Sequence, residues 1–208
     1  MRFCFIVEEQ YRHEGMPLAV AERLLAWGHD VDLLQPQQTV TCLHDLQAQP
    51  YDAYVLKTVS DGPGLILLEA VSVSGIPTIN NSHAVRLVRD KAVAAAFARA
   101  SPLHPEVRVR EGPIAVSPEL RRLALGVGRL FGLDLYGLEV IETPEGPVAI
   151  DSTDFPSFAM MPQAEARIAD FILRIARRRR IRAPHPAPAA GAGAACTLAI
   201  SSAPQGLR

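Results

Sequence analysis

Short hydrophobic runs alternate with stretches of helical hydrophobic spacing over the first eighty residues. Residues 2–7 form an apolar run, rich in aromatic and β-branched residues, without polar alternation, which is typical of a strand covered on both faces of a sheet. Further strands are predicted at residues 30–34, 51–59 and 76–80, and Pro77 favours an edge strand or a bulge. Because parallel strands need crossover connections, usually helices, the alternation predicts a doubly wound α/β unit.

Helices are predicted between these strands from apolar spacing and terminal residues. Pro17 and Gly28 bound the first helix, whose buried face is predicted to be Leu18, Ala21, Leu24 and Leu25. Residues 65–73 predict a second helix, stopped by Gly75. A third helix, capped by Asn81 or Ser82, is expected to run to about residue 100.

The second half of the chain predicts a smaller α+β region. One or two short strands are expected within residues 106–116, and Ser-Pro-Glu at 117–119 predicts a helix start. The buried stripe of that helix is predicted to be Leu120, Leu123, Val127 and Leu130. Strands at 136–142 and 147–151 flank a tight turn, and a last helix covers residues 163–180. The Ala/Pro-rich residues 181–208 are predicted to be disordered.

Composition excludes several classes of protein. The 208 residues carry 21 basic and 22 acidic side chains, a formal net charge of −1, so no global field favours nucleic acid or a membrane surface. The three cysteines have no paired spacing that indicates a disulfide framework or a zinc site. The first residues form neither a signal peptide core nor a membrane span. We therefore expect a cytoplasmic protein with no nucleic-acid or membrane partner. The oligomeric state, including a homo-oligomer, stays open.

Candidate chemistry lies on the predicted hairpin. Glu139 is near the end of one strand, and Asp151 and Thr153 end the next. Two oxygen ligands on adjacent strands suit Mg²⁺ when phosphate oxygens and water complete its octahedron. Solvated acids at strand ends are the alternative and the more common outcome. Lys91 lies in the helix predicted after Asn81. It is expected either to contact a phosphate or to be an ordinary solvated lysine.

The segment after the first strand offers another candidate. Glu8, Glu9 and Tyr11 follow that strand at the carboxyl edge of the sheet, where open α/β sheets bind ligands. They are expected either to touch a substrate or to be solvated loop residues. A flavodoxin-like or Rossmann-like binder is disfavoured, because the strand leads into Glu-Glu-Gln and not into a glycine-rich phosphate turn.

Three segments resemble the ATP-grasp superfamily, in particular its RimK-like and glutathione-synthetase-like carboxylate–amine ligases. Residues 75–82 with 89–91 resemble the family's junction between its N-terminal α/β domain and its ATP-binding region. Residues 131–140 are similar to the family strand ending in a metal-binding acid, normally aspartate and here Glu139. Residues 148–158 resemble the acid-x-asparagine metal motif, in which Asp151 matches the acid and Thr153 replaces the asparagine.

The resemblance implies a fold, a set of ligands and a site. It implies an N-terminal Rossmann-like (pre-ATP-grasp) domain at residues 1–81, a partial C-terminal ATP-grasp α+β lobe at 82–180 and a tail at 181–208. Lys91 would contact the phosphates of ATP, and Glu139 and Asp151 would hold Mg²⁺. Thr153 would be a weaker third ligand, because a hydroxyl reaches less far than an amide oxygen and binds Mg²⁺ less well.

The resemblance also implies that a lobe is missing. Between residues 100 and 101 the sequence has no strand with Lys-Pro followed by a glycine-rich phosphate loop, so about 100 residues, one small domain, would be absent. Two functions remain open. One is an ATP- and Mg²⁺-dependent, RimK-type glutamate ligase, impaired by truncation, that joins a small-molecule or peptide carboxylate to an amine. The other is a non-catalytic binding or interaction module on a degenerate ATP-grasp scaffold.

Overall fold

A parallel sheet and an antiparallel hairpin organise the chain. The structure, a computed structural model, describes residues 1–13, 15–38, 51–57, 62–90, 115–158 and 161–182. The strands are β1 (Arg2–Val7), β2 (Asp30–Leu34), β3 (Ala53–Lys57), β4 (Thr78–Ile79), β5 (Gly137–Thr143) and β6 (Gly146–Thr153). The helices are α1 (Gly15–Ala26), α2 (Pro63–Val73), α3 (Ser82–Arg89), α4 (Pro118–Phe131) and α5 (Ala164–Arg182). A short 3₁₀ turn (Glu9–Tyr11) follows β1.

Among the described strands, the parallel sheet has the order β2-β1-β3-β4, and β5 pairs only with β6. β1 and β3 occupy the centre and are buried apart from Arg2, as expected for an apolar run without alternation. In the described part of the chain β4 lies at the edge of this sheet, in agreement with the prediction made from Pro77. The predicted fold class, a parallel α/β sheet with a smaller α+β lobe, is therefore confirmed.

Helices cover both faces of the parallel sheet. Cys4 and Ile6 face a core formed with α2, whereas Phe3, Phe5 and Val7 face a core formed with α1 and α5. α5 therefore packs beside the N-terminal strands although it comes last in the described chain. The ion pair between Arg23 of α1 and Glu165 of α5, 3.1 Å long, lies across this packing. The domain limits at residues 81 and 180 stay predictions.

Two predicted buried faces are partly wrong. In α1, Leu25 is 51% exposed, while Val20 is fully buried. In α4, Leu130 is 50% exposed, and Gly128 and Phe131 are buried instead. Helical spacing groups residues on a face, but the neighbouring element decides which part of that face is covered. α4 packs against Tyr136, whose hydroxyl donates to the Ala124 carbonyl at 2.7 Å, so its contact surface is rotated from the predicted stripe.

The helix after β4 is shorter than predicted. Asn81 caps it by accepting a hydrogen bond from His83 N at 2.9 Å, and it ends at Arg89. Asp90 is extended, so the expectation of a continuous helix to about residue 100 was wrong. An acidic residue at the negative end of the helix dipole disfavours continuation there. Residues 91–114, which include Lys91 and most of the predicted strand region 106–116, lie outside the described residues, as does the tail from residue 183.

No helix in the described parts of the chain is both long and apolar enough to cross a bilayer. The cytoplasmic location stays a prediction.

Candidate functional site

The register of the β5–β6 hairpin places Glu139 directly opposite Asp151. A β-bulge produces this pairing. Val140 pairs with Ala149, but the next residue of β5, Glu139, pairs with Asp151, so Ile150 is passed over. In an unbulged ladder Glu139 would oppose Ile150, and Asp151 would lie on the other face, because side chains alternate with a period of two. The bulge therefore brings the two carboxylates together.

Thr153 completes the predicted set on the same face. It is two residues beyond Asp151 and pairs with Gly137, which is two residues before Glu139. Glu139 and Thr153 are exposed, and Asp151 is half-buried. Asp151 Oδ1 accepts a hydrogen bond from Ser152 N at 2.7 Å, which orients the carboxylate. The structure thus brings together the three hairpin residues predicted from the sequence.

The donor set fits a magnesium ion. Like charges directly opposite each other destabilise a strand pair. A cation bound between Glu139 and Asp151 would reduce the repulsion between their carboxylates. Mg²⁺ takes oxygen ligands, commonly one or two carboxylates together with substrate phosphates and waters. Within the described ranges no three His, Cys, Asp or Glu side chains are grouped around one metal position. Two carboxylates and a hydroxyl would leave the remaining coordination positions to phosphate oxygens and water.

The beginning of β5 is held by Asn80, which follows β4. Its buried side chain accepts hydrogen bonds from Asp134 N at 2.8 Å and Leu135 N at 2.6 Å. Its amide nitrogen donates to the Leu135 carbonyl at 2.5 Å. A buried amide that is satisfied in this way fixes the segment entering β5 against the edge of the parallel sheet.

The end of β6 is held by Asp154, the residue after Thr153. Arg89, the last residue of α3, donates from Nη2 and Nε to Asp154 Oδ1 at 2.7 and 2.9 Å. The side chains are 17% and 3% exposed, so the ion pair is largely withdrawn from water. Burial raises the pKa of Asp154, and the positive charge of Arg89 opposes that rise. The carboxylate thus ties the strand end to α3.

Lys57, at the end of β3, holds the next residue. Its ammonium donates to the Phe155 carbonyl at 2.6 Å and lies 4.5 Å from the centre of the Tyr11 ring. Phe155 has a φ of 136°, which side-chain-bearing residues rarely adopt. Pro156 follows and packs against Gly137. A Cβ added to Gly137 would lie 2.8 Å from Pro156 Cγ. Both strands of the hairpin are therefore clamped where the candidate ligands lie.

Glu8 is a buried anchor. The structure contradicts the expectation that it is solvated, because its side chain is fully buried. Glu8 Oε1 accepts a hydrogen bond from Gly64 N at 2.7 Å, in the first turn of α2. There the carboxylate complements the positive end of the helix dipole. A Cβ on Gly62 would overlap the Glu8 carboxylate, so this glycine provides the space that the acid occupies.

The sequence indicates no role for Lys57, Arg89 or Asp154, although residues 89–91 and 148–158 belong to the segments that resemble the ATP-grasp family. One signal was present, since a lysine ends the otherwise apolar run Ala-Tyr-Val-Leu-Lys. The partners are 98 residues apart for Lys57 and Phe155, and 65 apart for Arg89 and Asp154. Local spacing carries no information about such pairs. Lys91, two residues beyond Arg89, lies outside the described residues.

Solved structures similar to this chain include ATP-grasp proteins and a D-alanine–D-alanine ligase. A RimK-domain ATP-grasp protein from Sphaerobacter thermophilus superposes with a TM-score of 0.61 at 17% identity, over 83% of this chain and 100% of that one. ATP-grasp ligase PsnB, complexed with minimal precursor, Mg and ADP, gives 0.63 at 12% identity over 85% and 98%. D-alanine–D-alanine ligase from Bacillus anthracis gives 0.57 at 11% identity over 88% and 100%. The chain has an ATP-grasp fold.

The ATP-grasp fold agrees with the resemblance indicated by the three sequence segments. At these identities the likeness concerns the fold. No protein-family profile matches the sequence, and the comparison with curated proteins finds no match either. The predicted missing lobe of the ATP-grasp fold would fall at residues 100–101, outside the described residues, and stays a prediction. The metal and nucleotide roles of Glu139, Asp151, Thr153 and Lys91 belong to the proposal below.

Proposed function

We propose that this chain binds Mg²⁺ and ATP at the exposed face of the β5–β6 hairpin and is related in function to the carboxylate–amine ligases of the RimK type. The observation that carries the proposal is the opposed pair Glu139 and Asp151, brought onto one face by the bulge at Ile150. The fold supports it, because similar solved structures include ATP-grasp proteins, among them PsnB complexed with Mg and ADP.

The proposed division of roles follows from the chemistry of the side chains. Glu139 and Asp151 would hold Mg²⁺ through carboxylate oxygens, and Thr153 would add a neutral oxygen beside them. A bound Mg²⁺ would neutralise charge on the β- and γ-phosphate oxygens of ATP. Lys91, just after α3, is proposed to contact a phosphate. The clamped strand ends keep the carboxylates in fixed positions, which a site of this kind needs for precise phosphate alignment.

The proposed substrates are an acid and an amine, either small molecules or peptides. Support comes from the similar structures, which include PsnB complexed with precursor peptide PsnA2 and AMPPNP, and D-alanine–D-alanine ligase. A homo-oligomer and the lack of nucleic-acid partners remain part of the proposal.

A non-catalytic binding module is the rival function. Thr153 stands where the resembling family has asparagine, and the sequence has no glycine-rich phosphate loop between residues 100 and 101. Phosphoryl transfer depends on positioning and charge stabilisation of the phosphates. A chain that retains the metal carboxylates without that loop would bind a nucleotide weakly or use its scaffold for another partner.

Isothermal titration with ATP, in the presence and absence of Mg²⁺, tests the proposal. We expect heat of binding that depends on Mg²⁺, and its loss in Asp151→Asn. Glu142→Gln, which removes an acid from the same hairpin opposite Pro147, should bind as the unsubstituted chain does. Release of ADP with candidate acids and amines would favour the ligase over the module. The absence of both heat and ADP would contradict nucleotide binding and ligation alike.

A further inference from the structure

We propose that Arg89 and Lys57 are positioning residues for the magnesium site and form a latch that holds the end of β6 to the parallel-sheet unit. This inference rests on the proposed function. It goes further by assigning a role to two cations that do not lie on the hairpin itself. The observation is that they contact two consecutive residues, Asp154 and Phe155, immediately after the last candidate ligand, Thr153.

The alternation of β6 explains why this latch acts on the metal face. Asp151 and Thr153 point to the face that carries Glu139, so Ser152 points to the other face. Asp154 follows β6 and is buried, with Arg89 bound to it. The outward residues therefore carry the candidate ligands, while the residue that follows them is anchored inward. An anchor at this position sets both the direction and the register of the strand end.

The anchor depends on Arg89. Both short contacts of the Asp154 carboxylate with Arg89 go to Oδ1, and Oδ2 has no hydrogen-bond partner among the described residues. A buried charged pair of this kind is sensitive to the loss of one partner, because the other charge is then left uncompensated. Arg89 therefore fixes the orientation of Asp154.

The second point of the latch is Lys57. Its ammonium binds a backbone carbonyl, so it restrains the main chain at Phe155. That main chain has a positive φ of 136°, and the Phe155 ring is buried in the core shared by the parallel sheet and α5. Backbone conformations of this type persist when surrounding contacts hold them. Lys57 and the aromatic core together supply that restraint.

Partners that orient metal ligands without touching the metal affect metal affinity. Their loss commonly lowers it by about tenfold to a hundredfold. We expect the loss of Arg89 to lower metal affinity in the same way. Arg89 is not itself a candidate ligand, but it binds Asp154, the residue that follows Thr153.

The test compares Arg89→Met with Arg89→Lys and with a control, Arg23→Met. Arg23 belongs to the ion pair between α1 and α5, so its loss weakens packing beside the parallel sheet without touching the hairpin. For each chain, ADP is titrated with and without Mg²⁺, and the ratio of the two Kd values gives the enhancement by Mg²⁺. We expect Arg89→Met to lower that ratio by about tenfold or more, Arg89→Lys to restore part of it, and Arg23→Met to leave it unchanged.

A double variant keeps the test decisive if Arg89→Met does not fold. Arg89→Met combined with Asp154→Asn removes the latch without leaving a buried unpaired charge, and it should show the same lowered ratio. A ratio within about twofold of the unsubstituted chain in either variant, or an equal fall in Arg23→Met, would overturn the latch.

Hydrogen exchange separates the latch from the proposed function. In the protein without nucleotide, the amides of residues 151–155 should exchange at least about tenfold faster in the latch variants than in Arg23→Met, because the strand end opens locally. Unchanged exchange would overturn the latch. Faster exchange in a chain that shows no Mg²⁺-dependent ADP binding would support the latch as a structural tie, while overturning the proposed function and the metal-positioning role.

Discussion

Glu8 shows how one buried acid stabilises the start of a helix that is distant from it in sequence. It ends up fully buried just after β1, and its carboxylate accepts a hydrogen bond from Gly64 N in the first turn of α2. The partial positive charge at the start of a helix stabilises such a carboxylate. Gly62 and Gly64 leave the required space, since a Cβ on either would press on the Glu8 side chain. The Gly-Pro-Gly start of α2 thus has a steric reason as well as a conformational one.

Gly62→Ala should lower the free energy of unfolding by about 1–3 kcal/mol, because overpacking a buried site forces side chains or backbone to shift. Gly62 has a φ of −74°, so alanine meets no backbone strain there and the expected effect is steric. Urea unfolding measures it. Gly126→Ala in α4, where nothing lies within 4 Å of the added Cβ, is the matched control and should be neutral or stabilising. Equal stability of Gly62→Ala and the unsubstituted chain would contradict the packing around Glu8.

Asp32 is predicted to make the free energy of unfolding depend on pH in the acid range. The Tyr51 hydroxyl, and then Arg2, donate to its carboxylate, each at 2.7 Å, and hold the pKa of Asp32 below its ordinary value. The unfolded chain therefore binds more protons than the folded chain near the ordinary carboxyl pKa. The stabilisation is present above that pKa and is lost as the pH falls through the lower folded value.

Asp32→Asn should therefore flatten the fall in unfolding free energy between neutral pH and about pH 3. Asp30→Asn, on the same strand, serves as the control and should retain the steeper fall. Because Asp32 is exposed, added salt should shrink the difference between the variants. Identical pH profiles for the two variants would contradict the assigned role of Tyr51 and Arg2.

At the scale of elements, the β5–β6 hairpin combines two opposed acids with clamped ends. Opposed like charges destabilise a strand pair by some tenths of a kcal/mol. The bulge at Ile150 retains this arrangement although an unbulged ladder would separate the acids onto two faces. Two opposed carboxylates on one exposed face suit a bound divalent cation, which takes oxygen ligands of this kind.

Glu139→Gln should accordingly have opposite effects on stability and on binding. Without metal its free energy of unfolding should equal that of the unsubstituted chain or exceed it by about 0.2–1 kcal/mol, because the repulsion is removed. With Mg²⁺ and ADP the unsubstituted chain should gain in Tm, since a ligand that binds only the folded state stabilises it, and the variant should gain much less. Thermal unfolding with and without the ligands gives both quantities. Equal ligand shifts in Glu139→Gln and Glu142→Gln would contradict the site.

The sequence predicted the helices and strands better than it predicted which of their side chains are buried and which distant residues they contact. The unalternating run in β1, the Ser-Pro-Glu start of α4 and the hairpin turn at 143–146 are local signals, and each marks an element found in the structure. Leu25 and Leu130 were assigned to buried faces from spacing alone, but the neighbouring elements leave them exposed. The sequence placed the three hairpin residues near one another because antiparallel pairing is local, and the register puts them on one face. Their role as metal ligands stays a prediction. The sequence carried no sign of their anchors, because these come from β3, α3 and the residue that follows β4.

At the scale of the whole molecule, the parallel sheet supports the hairpin. Asn80 anchors the entry to β5, while Lys57 and Arg89 anchor the exit from β6. α5, which comes after the hairpin in sequence, returns to pack on the parallel sheet beside α1. The segments before and after the hairpin are therefore both fixed to one layered unit. This arrangement agrees with the ATP-grasp fold and gives the candidate site a rigid base.

The most direct test of the metal site uses Mn²⁺ in place of Mg²⁺, because bound Mn²⁺ is distinguished from free Mn²⁺ by electron paramagnetic resonance. Mn²⁺ is titrated into the full chain with ADP present, and the same titration is made on Asp151→Asn and Glu142→Gln. We predict nucleotide-dependent Mn²⁺ binding in the unsubstituted chain and in Glu142→Gln, and its loss in Asp151→Asn. Equal Mn²⁺ binding in all three chains, or none in the unsubstituted chain, would contradict a metal–nucleotide site on the hairpin.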